Sequence, residues 1–300
     1  VIGSAAQIIA VLGPTASGKT QVAAELAMYL GTEVVSADAR QVYRELSIGV
    51  ARPPDELLQK VPHHFIASHT IHHPLDAASY AAEARALIDQ LLLKYGKVVL
   101  CGGSGLYIRA LLEGFDDIPD VPPHIRQHIQ EQYRHGGLRW LQQQMELFDA
   151  ETLSCIDRHN PQRLMRALEV RLHTGKSIRY FQQGRAKKPA WQVIKIGLTW
   201  PREVLYQRIN SRVTDMVNNG LFDEAARLYP HRHLTSLQTV GYQEVFGFLE
   251  GLYTREEAIC LIQRNTRRYA KRQLTWFRRD AGIQWMPPNN MNAIKAIASA

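Results

Sequence analysis

The chain predicts an α/β fold, a parallel sheet flanked by helices with an all-helical insertion, and three features of the sequence carry that expectation. Short apolar runs alternate with stretches of helical periodicity, several of those runs end in glycine- or acid-bearing turns, and the texture between residues 116 and 190 is helical without strands. At 300 residues and 45% hydrophobic content, one core with a smaller appended domain is expected, because single cores stop growing at roughly 250–300 residues.

Residues 7 to 13 form an apolar run ending in glycine, and Val22, Ala23, Leu26, Ala27 and Leu30 then recur at helical spacing over residues 18 to 30. This reads as strand, loop and helix. "TEVVSADAR" supplies a second strand over residues 33 to 37 with Asp38 at its carboxyl end. A helix over about residues 79 to 94 precedes a third strand in "KVVLCGGSG", and "VIKIGLTW" at residues 193 to 200 is the fourth. Ligands of such sheets sit outside the carboxyl ends of the strands. The loop after the first strand, Asp38, the turn from Gly102 to Gly105 and the segment after Trp200 are therefore expected around one crevice.

"DDIPDVPP" (116–123) and "GRAKKPA" (184–190) read as turn-rich linkers. They bound helices near 124–135, 137–147 and 161–174, the last with Asn160 as cap and Pro161 at its first position. The expected division is a core of residues 1–116 and 193–300 around a helical insertion of residues 117–192, movable relative to that core.

The formal charge of +8 and sequence pI near 9.4 favour nucleic acid, anionic membrane or polyphosphate partners. No run of 18 apolar residues appears and the apolar start at Ile8 is cut by Gly13-Pro14, so a soluble, cytoplasmic protein is expected. The chain starts at Val1 rather than Met, and a few leading residues are expected ahead of it. Cys101, Cys155 and Cys260 are too few and too far apart for a disulfide framework or a zinc site, and are expected as small buried hydrophobes.

Gly13, Pro14, Thr15, Ala16, Ser17, Gly18, Lys19 and Thr20 spell G-x-x-x-x-G-K-[ST] between a predicted strand and a predicted helix. Backbone N–H groups in such a loop complement anionic oxygens, Lys19 reaches the terminal phosphates, and the Thr20 hydroxyl can hold Mg²⁺. The sheet is thus expected to be P-loop NTPase-like. A second strand-end acid, usual in an NTPase, is missing: the "VVLCGG" strand ends without one, which leaves Asp38. Held at the crevice, Asp38 can accept a proton or hold a ligand; alternatively it caps the segment that follows.

Arg40, Gln41 and Tyr43 suit hydrogen bonding to a planar or anionic ligand, or form a solvated face. Arg208 and Arg212 lie one helical turn apart after the fourth strand and can reach a polyphosphate, the alternative being surface ion pairing. In "CLIQRNTRRYAKRQLTWFRRD", Ile259, Ile262, Tyr269, Leu274 and Phe277 make an apolar side, and Arg264, Arg268, Lys271, Arg272 and Arg279 a basic one. Such a stripe can track a nucleic-acid backbone, with Trp276 or Phe277 available for stacking. "NPQRLMRALEV" repeats the theme, Leu164 and Leu168 turning inward and Gln162, Arg163 and Arg166 outward. The histidines of "VPHHFIASHTIHHP" have no acid or cysteine at ligand spacing and read as a polar loop.

The ordered set "GPTASGKT", "SADARQVYRELSIGVARP", "CGGSGLY", "NPQRLMRALEV", "TVGYQE" and "RRYAKRQLTWFRR" closely resembles the bacterial tRNA dimethylallyltransferases, also called tRNA isopentenyltransferases, over nearly the whole chain. The resemblance implies prenyl transfer from dimethylallyl diphosphate to N6 of adenosine 37 in tRNAs that read codons starting with U. It implies that Gly13 to Thr20 hold the diphosphate with Mg²⁺, that Asp38 takes the proton from N6, and that Arg212 helps neutralise the diphosphate. It also implies tRNA contacts at Asp38, Ala39, Arg40 and Gln41, at Gln162, Arg163 and Arg166, at Gln238, Gly241, Tyr242 and Gln243, and at Lys271, Arg272, Trp276 and Arg278. Single contacts are implied near Gly105 and Gln127. The insertion and the basic helix would grip the anticodon stem from two sides, and a monomer is expected. Where the family commonly has Asp-Ser the chain has Asp38-Ala39, and where it commonly has Gly-Gly-Thr the chain has Gly102-Gly103-Ser104. The zinc finger of the eukaryotic relatives has no counterpart among the unpaired cysteines. Two other readings stay open on the residues: a small-molecule kinase using ATP, against which the long basic helix counts, and a non-catalytic RNA-binding protein.

Overall fold

The computed structural model describes residues 6–184 and 189–299. Its centre is a six-stranded parallel sheet in the order β3-β2-β4-β1-β5-β6. The strands are β1 (Gln7–Leu12), β2 (Val34–Ala37), β3 (His63–His64), β4 (Lys97–Gly102), β5 (Gln192–Leu198) and β6 (Ile283–Met286). Strand β1 is buried on both faces, because Ile8, Ala10 and Leu12 enter one apolar cluster and Ile9 and Val11 another. Helices are thereby required on both sides. On the first side packs α3 (Ala77–Tyr95) through Tyr80, Ala84 and Ile88; on the second pack α1 (Lys19–Leu30) through Val22, Ala23 and Leu26, and α12 (Met291–Ser299) through Ile294 and Ala298.

Register fixes where the site lies. Leu12 pairs with Gly102 and with Gly197, and Ala37 also pairs with Gly102, so the carboxyl ends of β2, β4, β1 and β5 finish level. The phosphate loop, Asp38, Gly103-Ser104 and Thr199-Trp200 leave the sheet from that row. Above it run α8 (Arg202–Asn218), α9 (Leu221–Leu228), α10 (Tyr242–Leu249) and α11 (Arg255–Phe277). The remaining α-helices described in the sheet-bearing part are α2 (Asp55–Lys60) and α4 (Gly105–Glu113).

The chain divides into two compact units, Val1–Leu112 with Pro189–Ala300, and Glu113–Lys188. The second is helical, with α5 (Pro123–Cys155), α6 (Pro161–Thr174) and α7 (Ile178–Phe181) around Ile129, Leu141, Met145, Leu164 and Leu168. Helix α5 is broken at Gly137 (φ 61, ψ −159), a conformation that suits glycine, and again at Asp149 (φ −155, ψ 61). Asn160 Oδ1 accepts from the Arg163 N–H at 3.2 Å, with Pro161 at the first helical position.

Several local expectations change. Part of the histidine-rich segment is strand β3, which joins the sheet edge through backbone pairing to β2, a two-residue pairing with no side-chain period to betray it. His63 Nδ1 lies 2.7 Å from Val61 O and His64 Nε2 2.6 Å from Glu33 Oε2, so both rings have protein partners. Cys155 and Cys260 are exposed; only Cys101 is the buried hydrophobe expected of all the cysteines. Cys155 ends α5, where Arg179 Nη1 donates to its Sγ at 2.9 Å, and Cys260 lies on the solvent side of α11. Among the described residues no helix is long and apolar enough to cross a membrane.

Candidate functional site

The phosphate loop is held by its surroundings before any ligand arrives. Gly13 has φ 148, and a Cβ there would stand 2.5 Å from Leu198 O, so the close approach to β5 requires glycine. Ala16 takes the left-handed region at φ 61, which costs an L-residue about 1–2 kcal/mol. What holds it is a cluster of Ala16 with Leu205 and Ile209 of α8 and Ala270 of α11, with Trp200 and Leu274 packed alongside. Arg208 Nε donates to Ala16 O at 2.9 Å and Trp200 Nε1 to Ser17 O at 3.2 Å. Lys19 Nζ folds back onto Pro14 O. Ser17 Oγ is buried without a hydrogen-bond partner, a polar atom left over at the bend of the loop.

Burial lowers the Lys19 ammonium to about 8, the nearby Cys101 and Asp38 opposing that shift and Arg212 adding to it. Burial also lowers Arg212, with Asp38 opposing and Arg208 reinforcing. These cations crowd one end of a cavity in which Asp38 is the carboxylate beside them, and the excess of positive charge suits a polyphosphate. Arg212 Nη1 reaches Thr15 Oγ1 at 3.4 Å, and Nη2 reaches Ala51 O at 3.5 Å. Both arginines singled out by their helical spacing therefore face the loop rather than a surface ion pair.

Asp38 does cap the following turn: its Oδ1 accepts from Arg40 N at 2.9 Å and Gln41 N at 3.2 Å. Its carboxylate nevertheless lines the same cavity as Lys19, Thr20 and Arg212. That cavity, about 400 Å³, is polar at the loop and apolar along Ile209, Val213, Met216, Val240 and Ile262. A second cavity of about 770 Å³ shares Lys19, Thr20 and Arg212 in its lining. A third, of about 570 Å³, adjoins at Ala39, Arg40, Ser104, Tyr269, Arg272 and Gln273 and is walled by Tyr43, Tyr107 and Trp276. The loop thus faces one opening and an aromatic wall faces another.

Among the described residues there is no group of three or more His, Cys, Asp or Glu able to hold a metal ion by themselves. A hard divalent cation can be held with few protein oxygens when phosphate oxygens complete its shell. Thr20 Oγ1, which lines the 400 Å³ cavity, is an oxygen donor of that kind.

The other predicted contacts fall into distinct settings. Gln238, Gln243, Lys271, Arg272 and Arg278 are exposed, and Gln243 Nε2 donates to Gln238 Oε1 at 2.6 Å. Trp276 lies against Gly105, where a Cβ would stand 2.3 Å from its ring nitrogen. In the helical unit Gln127, Gln162 and Arg163 are exposed, and Arg166 Nη1 pairs with Glu169 at 3.5 Å. Ala39 N–H donates to Ser104 Oγ at 2.9 Å, so the serine hydroxyl serves the backbone of the position whose own hydroxyl is missing.

Two predicted contacts are buried inside the protein, and a third, Arg40, is half-buried at the cavity lining. Tyr242 is completely buried and donates to Glu224 at 2.6 Å, so its side chain cannot meet a macromolecule. Gln41 is buried with Nε2 donating to Val50 O and Ala51 O, and Arg40 donates to the carbonyls of Thr235, Ser236 and Gln238. They build the wall of the cavity. Tyr269, counted on the apolar side of its helix, instead lines two cavities.

Residues missed from the sequence are Glu224, whose carboxylate accepts from the N–H groups of Ser47, Ile48 and Gly49, and Gln273, which touches the phosphate loop. A polar residue inside the apolar stripe of α11 was the only signal for the latter.

Comparison with known proteins finds one family. The model of the family described as IPP transferase matches residues 41–280. A tRNA dimethylallyltransferase of Cytophaga hutchinsonii is 44% identical over 293 residues, covering 98% of this chain and 96% of the relative. Among solved structures, the full-length tRNA isopentenylpyrophosphate transferase of Bacillus halodurans superposes with a TM-score of 0.72 at 36% identity, covering 98% of this chain and 95% of that one. A eukaryotic dimethylallyltransferase acting on tRNA has the same fold, with a TM-score of 0.78 at 22% identity over 98% of this chain and 76% of its own.

Proposed function

The chain belongs to the IPP transferase family, whose curated members are tRNA dimethylallyltransferases, and from that premise we propose that it transfers a dimethylallyl group from dimethylallyl diphosphate to N6 of adenosine 37 in tRNAs reading codons that start with U. In the proposed reaction the N6 amine attacks C1 of the allyl group, the C1–O bond breaks with its electrons leaving on diphosphate, and the N6 proton passes to the Asp38 carboxylate. The exocyclic amine is a poor nucleophile because its lone pair is delocalised into the ring. General-base help of the kind assigned to Asp38 is typically worth about 10²–10⁴-fold.

The observation that carries the reading is the single cavity in which Lys19, Thr20 and Arg212 stand at one end, Asp38 beside them, and Ile209, Val213, Val240 and Ile262 form an apolar wall. A leaving diphosphate needs the cations and an allyl chain needs the wall; a phosphoryl acceptor needs neither in that order. Lys19, Arg212 and the loop amides are assigned to the diphosphate, where they neutralise charge that grows as the C–O bond lengthens. Thr20 is assigned as the protein oxygen for Mg²⁺, which would supply further charge neutralisation on the leaving group. To reach the cavity the adenine must leave its stack, and the aromatic wall of Tyr269 and Trp276 is assigned to receive it.

Incubating the protein with unmodified tRNA, Mg²⁺ and dimethylallyl diphosphate, followed by mass spectrometry of the digested tRNA, tests the reading. A prenylated adenosine 37 and free diphosphate are expected. Unchanged tRNA, or phosphoryl transfer from ATP, overturns it.

A further inference from the structure

The buried positions of α11 are Ala258, Ile262, Ala270, Gln273 and Phe277, so Gln273 is the polar member of an otherwise apolar stripe. A primary amide taken out of water must find partners or it destabilises the fold. Gln273 finds them on two different loops. Its Oε1 accepts the N–H of Thr15 in the phosphate loop at 2.8 Å, and its Nε2 donates to Gly103 O, just beyond the end of β4, at 2.9 Å. Because a backbone N–H can only donate and a carbonyl can only accept, these partners fix the orientation of the amide. Gly103 is shaped by the contact: a Cβ there would stand 2.5 Å from Nε2.

Each end of this bridge leads to the machinery. Thr15 also receives Arg212 through its hydroxyl, and Ser104, next to Gly103, holds the Ala39 N–H beside Asp38. The helix that carries the bridge turns Lys271 and Arg272 to solvent immediately before Gln273. A force on the exposed side of α11 is thus one residue from an amide clamped to the phosphate loop. The packing makes the linkage stiff, since Ala270 of the same helix turn is fully buried in the cluster that contains Ala16.

Building on the prenyltransferase reading, we propose that Gln273 is a positioning residue that couples docking of nucleic acid on the exposed face of α11 to diphosphate binding in the loop. A docked polyanion fixes α11, α11 fixes Thr15 through Gln273, and the loop amides and Arg212 are presented to phosphate already ordered. Coupling of this kind is reciprocal between the two ligands.

The test measures the affinity of the full chain for inorganic diphosphate by calorimetry, with Mg²⁺, alone and with saturating unmodified tRNA. In the wild type tRNA is expected to strengthen diphosphate binding by about tenfold. Gln273→Met removes both hydrogen bonds, and Gln273→Glu keeps an acceptor for Thr15 while losing the donor to Gly103. In Gln273→Met the factor is expected to fall to within about twofold of one, and in Gln273→Glu, which keeps the Thr15 bond but loses the anchor on Gly103, to stand between that and the wild-type value. A role confined to stability would lower the melting temperature and leave the factor unchanged. Hydrogen exchange at the Thr15 amide of the wild type needs no variant, and tRNA is expected to slow it. The proposal is overturned by a wild-type factor of one, by a factor preserved in folded Gln273→Met, or by Thr15 exchange indifferent to tRNA. Product formation by the wild type in parallel separates the outcomes: absent prenylation sinks the enzymatic reading, whereas absent coupling in an active enzyme sinks only the role of Gln273.

Discussion

Asp38 uses one oxygen to build the site, which makes its proposed chemistry separable from its structure. An asparagine at this position still offers Oδ1 to the amides of Arg40 and Gln41, so Asp38→Asn should keep the turn. We expect its single-turnover prenylation rate to fall by about 10²–10⁴-fold while tRNA affinity stays within about twofold. Normal turnover would remove Asp38 from the base role. Lys19 gives a pH signature. Burial holds the free ammonium at about 8, and a bound diphosphate raises it, so binding is weakened as pH rises through about 8 and Lys19 loses its proton. The diphosphate titrates too, but that contribution cancels in a ratio. The affinity advantage of wild type over Lys19→Gln should shrink between about pH 7 and about pH 9.5, by up to about tenfold per unit; a constant ratio refutes the assignment. Lys19 and Asp38 were legible because their meaning lies in local spacing. Gln273 was not, because its partner Thr15 lies 258 residues away in the chain.

At the scale of elements, legibility followed the strength of the period. Strands β1, β2, β4 and β5 and helices α1, α3 and α6 announce themselves by apolar runs or a repeating stripe, and the start of α6 by Asn160-Pro161. Strand β3 has no such pattern, and β6 with α12 follows a basic segment that gives no strand signal. The family resemblance implies tRNA contacts from Gly241 to Gln243, yet the fold spends Tyr242 internally. Glu224 of α9 accepts three backbone N–H groups from Ser47, Ile48 and Gly49 besides the Tyr242 hydroxyl. This ties the strand-to-helix loop after β2 to the start of α10, and both line the cavity. Burial and the adjacent Glu224 push the Tyr242 phenol far above its usual range, so it stays a donor at every working pH. Tyr242→Phe removes one charge-assisted hydrogen bond, and we expect a loss of about 1.5–3 kcal/mol in urea unfolding with an unchanged denaturant slope. Its tRNA affinity should match the wild type. A loss of affinity in a fully folded variant would return Tyr242 to the contact list.

At the scale of the whole molecule, the net charge of +8 is divided between two tasks that salt separates. Lys19 and Arg212 sit within the cavity beside a wall of apolar side chains, where mobile ions screen them little; Lys271, Arg272 and Arg278 stand exposed on or just beyond α11, where screening is strong. The strand order that puts β1 between β4 and β5, and so brings the loop that carries Lys19 to Arg212 of α8, is a long-range pairing that no local pattern in the sequence encodes. If the surface cations serve encounter and the cavity cations serve the leaving group, raising salt should weaken tRNA binding steeply while sparing the reaction of bound tRNA. Replacing both Lys271 and Arg272 by alanine should then flatten the slope of log affinity against log salt by about 1.4–1.8, since each phosphate contact contributes about 0.7–0.9. The single-turnover rate at saturating tRNA and saturating dimethylallyl diphosphate should remain within about threefold of wild type, because neither side chain is assigned to the departing diphosphate and any effect on its affinity is removed at saturation. Arg212→Ala should do the reverse, keeping the salt slope and slowing the bound reaction by about 10²–10³-fold. An unchanged slope in the double variant, or a slope altered by Arg212→Ala, would show that the charges are not divided in this way.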